Sequence, residues 1–100
     1  MVSKEVVWTQ KAFKDLDSIY NFIAKGSKAA AKKVVESILD REEQLKIQPN
    51  SGTIETRIKL KGEYRFLVQG NYKIIYRVGR ANVYVIKIFD ARQDPKKINK

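Results

Sequence analysis

Cysteine and histidine are both missing from this 100-residue chain, and the two absences remove much of the usual active-site chemistry. Without cysteine there is no disulfide and no thiolate metal site. Without histidine the common zinc ligand, the usual neutral-pH acid/base and the imidazole of a hydrolytic triad are gone. Any catalysis would fall to Lys, Arg, Tyr, Asp or Glu. There is no apolar run near the length of a membrane span, and no charged start, apolar stretch and small-residue cleavage site of a signal peptide. The expectation is a cytoplasmic protein with no membrane partner, and the lack of cysteine agrees with that. No internal repeat, low-complexity tract or linker interrupts the chain, and its length suits one core, so a single domain over residues 1–100 is expected.

Acidic residues are in short supply: 11 Asp and Glu face 21 Lys and Arg, for a net charge of +10 and a pI near 9.9. The imbalance is local. Residues 1–53 carry 9 basic against 7 acidic side chains, a net +2, while residues 54–100 carry 12 against 4, a net +8. Such a field points to an anionic partner, nucleic acid or an acidic protein segment.

What is present is organised around Tyr64 to Val78, YRFLVQGNYKIIYRV, two alternating runs joined at Gly70-Asn71. Alternation on both sides of a Gly-Asn pair predicts a tight antiparallel hairpin at the centre of a sheet. One register holds Tyr64, Phe66, Val68, Tyr72, Ile74, Tyr76 and Val78, a set that needs cover. The other holds Arg65, Leu67, Gln69, Lys73, Ile75 and Arg77, a mixed basic and apolar face.

Upstream, Val2 to Trp8 alternates and predicts a short first strand. Thr9 fits an N-cap, and Ala12, Phe13, Leu16, Ile19, Tyr20 and Ile23 form one stripe at helical spacing. Gly26 suits a left-handed C-cap and Ser27 an immediate new cap, predicting an antiparallel helical hairpin. The second helix is expected from about Lys28 to Ile47, with Ala31, Val34, Val35, Ile38 and Leu45 on its apolar face. Glu42 falls inside that stripe, consistent either with pairing to a basic residue or with a place at the helix edge. Pro49 and Asn50-Ser51-Gly52 close the helix.

Downstream, Ile58 and Leu60 alternate with Arg57, Lys59 and Lys61, then come turns at Gly62 and Gly79–Asn82 around the hairpin, and a last strand from Val83 to Phe89. There Tyr84, Ile86 and Ile88 are expected to continue the buried set. The fold class is therefore α+β: a short N-terminal strand and a helical hairpin packed on one face of a small, mainly antiparallel twisted sheet. The uncovered face would hold Arg57, Lys59, Lys61, Arg65, Lys73, Arg77 and Lys87 with Leu67, Ile75, Val83, Val85 and Phe89. A face this apolar seldom stays bare, so a partner or the chain's own tail should cover part of it.

Trp8, Ala12, Asp15, Leu16, Ile19 and Ile23, then Leu45, Pro49 and Gly52, then Tyr64-Arg65, Tyr72 to Val78 and Phe89 to Arg92 stand in an order and spacing that resembles the RelE/ParE superfamily, the toxins of type II toxin-antitoxin modules. The resemblance covers nearly the whole chain. It implies one of two activities: a ribosome-dependent endoribonuclease that cuts mRNA, as in RelE-type members, or a DNA gyrase poison, as in ParE-type members. Carried over by position, Arg65, Lys73 and Arg92 match catalytic basic sites of the nuclease branch, whereas Leu67 stands where a second strand lysine is expected and Ile98 near the place of a tyrosine. No metal and no cofactor is implied.

Cleavage through the 2′-hydroxyl needs a base, stabilisation of the phosphorane and an acid for the leaving oxygen. Arg65 and Arg92 could hold the phosphate and Lys73 carry the proton, its pKa lowered by neighbouring cations. Lys59, Arg77 and Lys87 would add to the field that binds nucleic acid. The ribonuclease reading is the first expectation. The gyrase poison draws on the departures at Leu67 and Ile98, and a non-catalytic basic binding module is the third option. Either toxin would act with a cognate acidic antitoxin, in a toxin-antitoxin hetero-oligomer, through a segment burying Leu67, Ile75, Val85 and Phe89.

Overall fold

A computed structural model describes residues 3–99. The first strand, β1 (Glu5–Trp8), leads into helix α1 (Gln10–Ala24); Val2, where that strand was expected to begin, lies outside the described residues. Thr9 joins the two. Its hydroxyl accepts from the Ala12 amide at 3.3 Å and donates to the Val85 carbonyl at 2.8 Å, so the cap that starts the helix also fixes it to the sheet. Ser27 caps α2 (Lys28–Leu39) in the same way, accepting from the Ala30 amide at 3.1 Å. Gly26 does not take the expected left-handed conformation. The amides of Gly26 and Ser27 both reach the Ile23 carbonyl at 3.0 Å, and Lys25 stays right-handed at φ −59°, so a plain helical turn leads straight into the next cap.

The second helix is not continuous to Ile47. It ends at Leu39, and a separate α3 runs from Glu42 to Ile47. No glycine or proline marks the break. Tertiary contacts do: the Arg41 guanidinium reaches the Val68 carbonyl at 3.1 Å, Gln69 Oε1 at 2.8 Å and Gln44 Oε1 at 2.9 Å, holding the break against the end of the sheet. Glu42 takes part in a contact outside the helix, accepting from the Trp8 indole nitrogen at 2.6 Å, with Lys46 at 3.6 Å. The first of the two options for its place in the apolar stripe is thus met in part, by an indole as well as a lysine.

The sheet has five strands in the order β1-β5-β4-β3-β2, with β2 (Thr53–Ile54), β3 (Tyr64–Gln69), β4 (Tyr72–Val78) and β5 (Asn82–Asp90). β1 runs parallel to β5; the other neighbours are antiparallel. The helical hairpin covers one face, where Leu67, Ile74, Tyr76, Val83 and Val85 meet Ala12, Leu16, Ile38 and Leu45. Full burial of such side chains is worth about 1.5–3 kcal/mol each.

The expected division of the faces fails in β3 and in part of β5, for two reasons of register. First, the Gly70-Asn71 turn has two residues, so Gln69 pairs with Tyr72 and Leu67 with Ile74. Odd positions of β3 therefore share a face with even positions of β4, placing Leu67 and Arg65 on the helix side and Tyr64 and Phe66 on the outer side. Second, a bulge lies between two registers of β4 and β5: Ile75 pairs with Lys87 but Tyr76 with Val85, leaving Ile86 as the extra residue. Val83 and Val85 consequently join the helix-side core, while Ile86 packs outward.

The outer face is covered by the chain's own tail. A 3₁₀ helix at Pro95–Asn99 lays Ile98 against Tyr64, Ile75 and Phe89. Residues 57–61 do not form the expected strand. Pairing of β2 ends with the Glu55 amide on the Tyr64 carbonyl, and the segment then crosses to the tail, where Asn99 accepts from the Lys59 amide and donates to the Arg57 carbonyl, both at 2.9 Å. Its backbone partners come from a side-chain amide instead of a strand.

Tyr76, fully buried on β4, closes the loop between α3 and β2. Its hydroxyl donates to the Pro49 carbonyl at 2.7 Å and accepts from the Gly52 amide at 2.9 Å. Burial pushes its pKa up, which keeps the proton needed for donation. Tyr76→Phe would strand both backbone groups in the interior, and we expect it to cost about 1–3 kcal/mol, measured by urea unfolding with an unchanged m-value. Gly52→Ala should also destabilise, because an added Cβ would come within 2.8 Å of the Phe66 carbonyl.

Candidate functional site

The three residues expected to carry catalysis do not converge. Arg65 lies on the helix-side register of β3 opposite Tyr76, and Lys73 on the outer register of β4 opposite Val68 and Phe89. Arg92 follows β5, near the Tyr72 end of β4. Each also has a local carboxylate. Arg65 donates to the Gly52 carbonyl at 2.9 Å and the Asn50 carbonyl at 3.3 Å, with Glu63 at 3.5 Å, so it braces the loop that Tyr76 closes. Arg92 holds Asp90 through two bonds of 3.0 and 2.8 Å, and these bonds keep the Asp90 carboxyl below its usual range against the upward push of burial.

Lys73 sits 3.0 Å from Glu55 and its ammonium lies 4.1 Å from the centre of the Phe66 ring. Glu55 is the more deeply placed partner, its side chain 3% exposed, and its second oxygen accepts from the Arg57 amide at 3.1 Å. Burial raises the Glu55 pKa, but the bonds from Lys73 and Arg57 and their charges outweigh it and leave the group below its ordinary 4.5. Lys73 and Glu55 thus form a part-buried ion pair on the outer side of the sheet.

The other expected sites scatter. Arg77 stacks its guanidinium 4.9 Å from the centre of the Tyr84 ring. Lys87 is nearly buried in the cleft between α1 and β5, where burial and the neighbouring Lys11 lower its pKa against the opposing pull of Asp15. Lys59 is exposed beside the tail. The antitoxin surface expected at Leu67, Ile75, Val85 and Phe89 is not an open face. Leu67 and Val85 belong to the helix-side core because of the two-residue turn and the bulge, while Ile75 and Phe89 lie beneath Ile98.

What the structure does assemble is a cavity of about 480 Å³ between loop and tail, lined by Thr56, Arg57, Lys59, Pro95, Lys96 and Asn99. Among the described residues none of its three cations makes an ion pair. Asn99 fixes its shape by clamping loop to tail. The basic run at Arg57 and Lys59 was legible in the sequence, but its neighbour Lys96 was not, since only the fold of the tail brings it near. Among the described residues no group of acidic side chains could hold a metal ion, and no helix is long and apolar enough to cross a membrane.

The Glu55–Lys73 pair makes a prediction. A carboxyl with a depressed folded pKa contributes stability above its unfolded value and loses it as pH falls through the folded one. Glu55→Gln leaves Lys73 with no buried counter-charge and should cost about 3 kcal/mol at pH 7. That deficit should shrink as pH drops below 4.5, the group's ordinary value. Urea unfolding of both proteins at pH 7, where the carboxyl is ionised folded and unfolded, and at roughly pH 3, where the unfolded carboxyl is largely protonated, checks it; a deficit independent of pH would mean that the ion pair is not the cause.

Comparison with known proteins adds family and fold. A family model described as the ParE toxin of the type II toxin-antitoxin system parDE matches residues 6–95. The fold is similar to a solved chromosomal ParDE toxin-antitoxin system from P. aeruginosa, with a TM-score of 0.72 and 24% identity over 88% of this chain and 96% of that one. It is also similar to the RelBE2 toxin-antitoxin complex from Mycobacterium tuberculosis, with a TM-score of 0.65 and 19% identity over 90% and 93% of the two chains. No curated protein matches the sequence significantly.

Proposed function

Because this chain belongs to the ParE toxin family of type II toxin-antitoxin systems, we propose that it poisons DNA gyrase without cutting RNA. The observation that carries this reading is the separation of Arg65 and Lys73, on opposite faces of the sheet, from each other and from Arg92 in the turn after β5, each beside a carboxylate. In-line cleavage needs a base, a phosphate clamp and an acid around one phosphorus. Here Arg65 is engaged with the carbonyls of a loop, and Lys73 is held by a buried Glu55.

One feature favours the ribonuclease. The Arg57, Lys59 and Lys96 cavity offers positive charge for a phosphate. Its lining holds no carboxylate and the chain has no imidazole to take the 2′-hydroxyl proton, so this cavity supports contact with a phosphate backbone better than cleavage. A cognate antitoxin is the partner that either activity requires, and the surplus charge of the second half of the chain favours an acidic one.

The decisive experiment puts purified protein into a gyrase supercoiling assay and, in parallel, into a ribosome translation extract. The expected result is blocked supercoiling with accumulation of gyrase-cleaved DNA, and translation unaffected. In-frame mRNA cuts that disappear in Lys73→Ala and Arg92→Ala would overturn the poison in favour of the nuclease, and inactivity in both assays would leave a non-catalytic binding module.

A further inference from the structure

β1 stops where Trp8 pairs with Val85. From Ile86 onward, that edge of β5 faces α1 instead of a strand. Two cavities of about 370 and 280 Å³ line this junction, and they share Ser18, Ile19, Asp90 and Gln93, so they form one continuous trough along α1. Lys11 lies toward one end and Phe22 toward the other, a rise of about 16 Å along the helix, which suits roughly five residues of extended chain.

The trough is cationic at one end only. Lys11, Lys87 and Lys97 surround the first cavity. Its two carboxylates are already engaged: Asp15 takes Lys11 at 2.7 Å and the Ile88 amide at 2.9 Å, and Asp90 holds Arg92. The second cavity has no cation in its lining: beside the shared Ser18, Ile19, Asp90 and Gln93 it is bordered by Tyr72 and Phe22. Phe22 is 69% exposed, the most exposed large apolar side chain among the described residues. An aromatic ring at the mouth of a groove is placed to be buried by whatever enters it.

We propose that this trough is the docking site for an extended segment of the antitoxin, with an acidic residue at the lysine end and an apolar residue against Phe22. The inference rests on the toxin-antitoxin reading and adds to it a place and a polarity. The lysines supply steering and orientation, and the apolar end supplies burial.

The antitoxin for the test is the product of the adjoining gene, established by its rescue of growth in cells that make this protein. Its affinity is titrated at two salt concentrations against full-length wild type, Phe22→Asp, Lys97→Glu and Phe13→Asp, all verified as folded by circular dichroism. Phe13 is half exposed on the opposite side of α1 and serves as the control. Phe22→Asp and Lys97→Glu should each weaken binding by about tenfold or more, the lysine variant with a shallower salt dependence, while Phe13→Asp should stay within about twofold. Wild-type affinity in either trough variant, or an equal loss in Phe13→Asp, overturns the docking site while leaving the toxin-antitoxin reading in place. Growth arrest that the neighbouring gene does not relieve overturns that reading, and the trough proposal with it.

Discussion

The two-residue turn at Gly70-Asn71 is the constraint from which most of the arrangement follows. Gly70 adopts φ +59° while Asn71 keeps a negative φ, the backbone pattern of a II′ turn, whose twist matches that of the strands it joins. A turn of this length admits one pairing, Gln69 with Tyr72. Every later pair in the ladder inherits it. Leu67 must face the helices with Ile74, and Phe66 must face outward with Ile75. Lys73 then comes to lie over the Phe66 ring, within reach of Glu55 at the end of β2. One glycine's conformation thereby decides which cations are sequestered and which remain at the surface.

The same register explains why the second face is not a bare basic surface. With Tyr64, Ile75 and Phe89 turned outward, an apolar strip remains that water would penalise. The tail covers it with Ile98, and Asn99 ties that cover to the loop after β2. Loop 55–63 therefore serves as the frame of the tail, leaving the sheet after β2 has paired with Arg65 and Phe66 of β3 and the Glu55 amide has bonded the Tyr64 carbonyl. The price is irregular backbone between Glu55 and Tyr64, and it is met by side-chain partners, Glu55 for the Arg57 amide and Asn99 for those beyond it.

The elements themselves were largely legible in the sequence because each has a local cause. Thr9 and Ser27 act as caps, Ala12, Leu16 and Ile38 face the core at helical spacing, and the alternating runs around Gly70 form the central hairpin. The need to cover an apolar outer face was legible too, and the tail meets it. Face assignment was not, because alternation gives the period within a strand but not its phase relative to the next. That phase depends on the number of residues in the turn, and here an even count exchanges odd for even. The bulge at Ile86 carries no glycine, and the helix break before Glu42 is held by Arg41 contacts distant in sequence. The site residues suffered most: Arg65 and Lys73 look equivalent in an alternating string and lie on opposite faces.

Residues 54–100 contain four acids, Glu55, Glu63, Asp90 and Asp94. The first three pair with Lys73, Arg65 and Arg92, and Asp94 accepts from the Lys96 amide. The acids are thus committed to local structure, so the surplus that makes this half so basic is carried by other cations, among them Arg57, Lys59, Lys96 and Lys97 around the tail. Their field reaches about 8 Å into physiological salt before it is screened, far enough to draw in an acidic chain before any contact forms. What holds that chain must then be short-range, and the trough along α1 places Phe22 where burial can begin once charge has brought the partner close. A nucleic acid would feel the same field, and an unpaired base could stack on Phe22. Long-range charge and one aromatic ring therefore admit both kinds of partner, and discrimination falls to the fit of an extended polypeptide along the whole trough, from the lysines to Phe22.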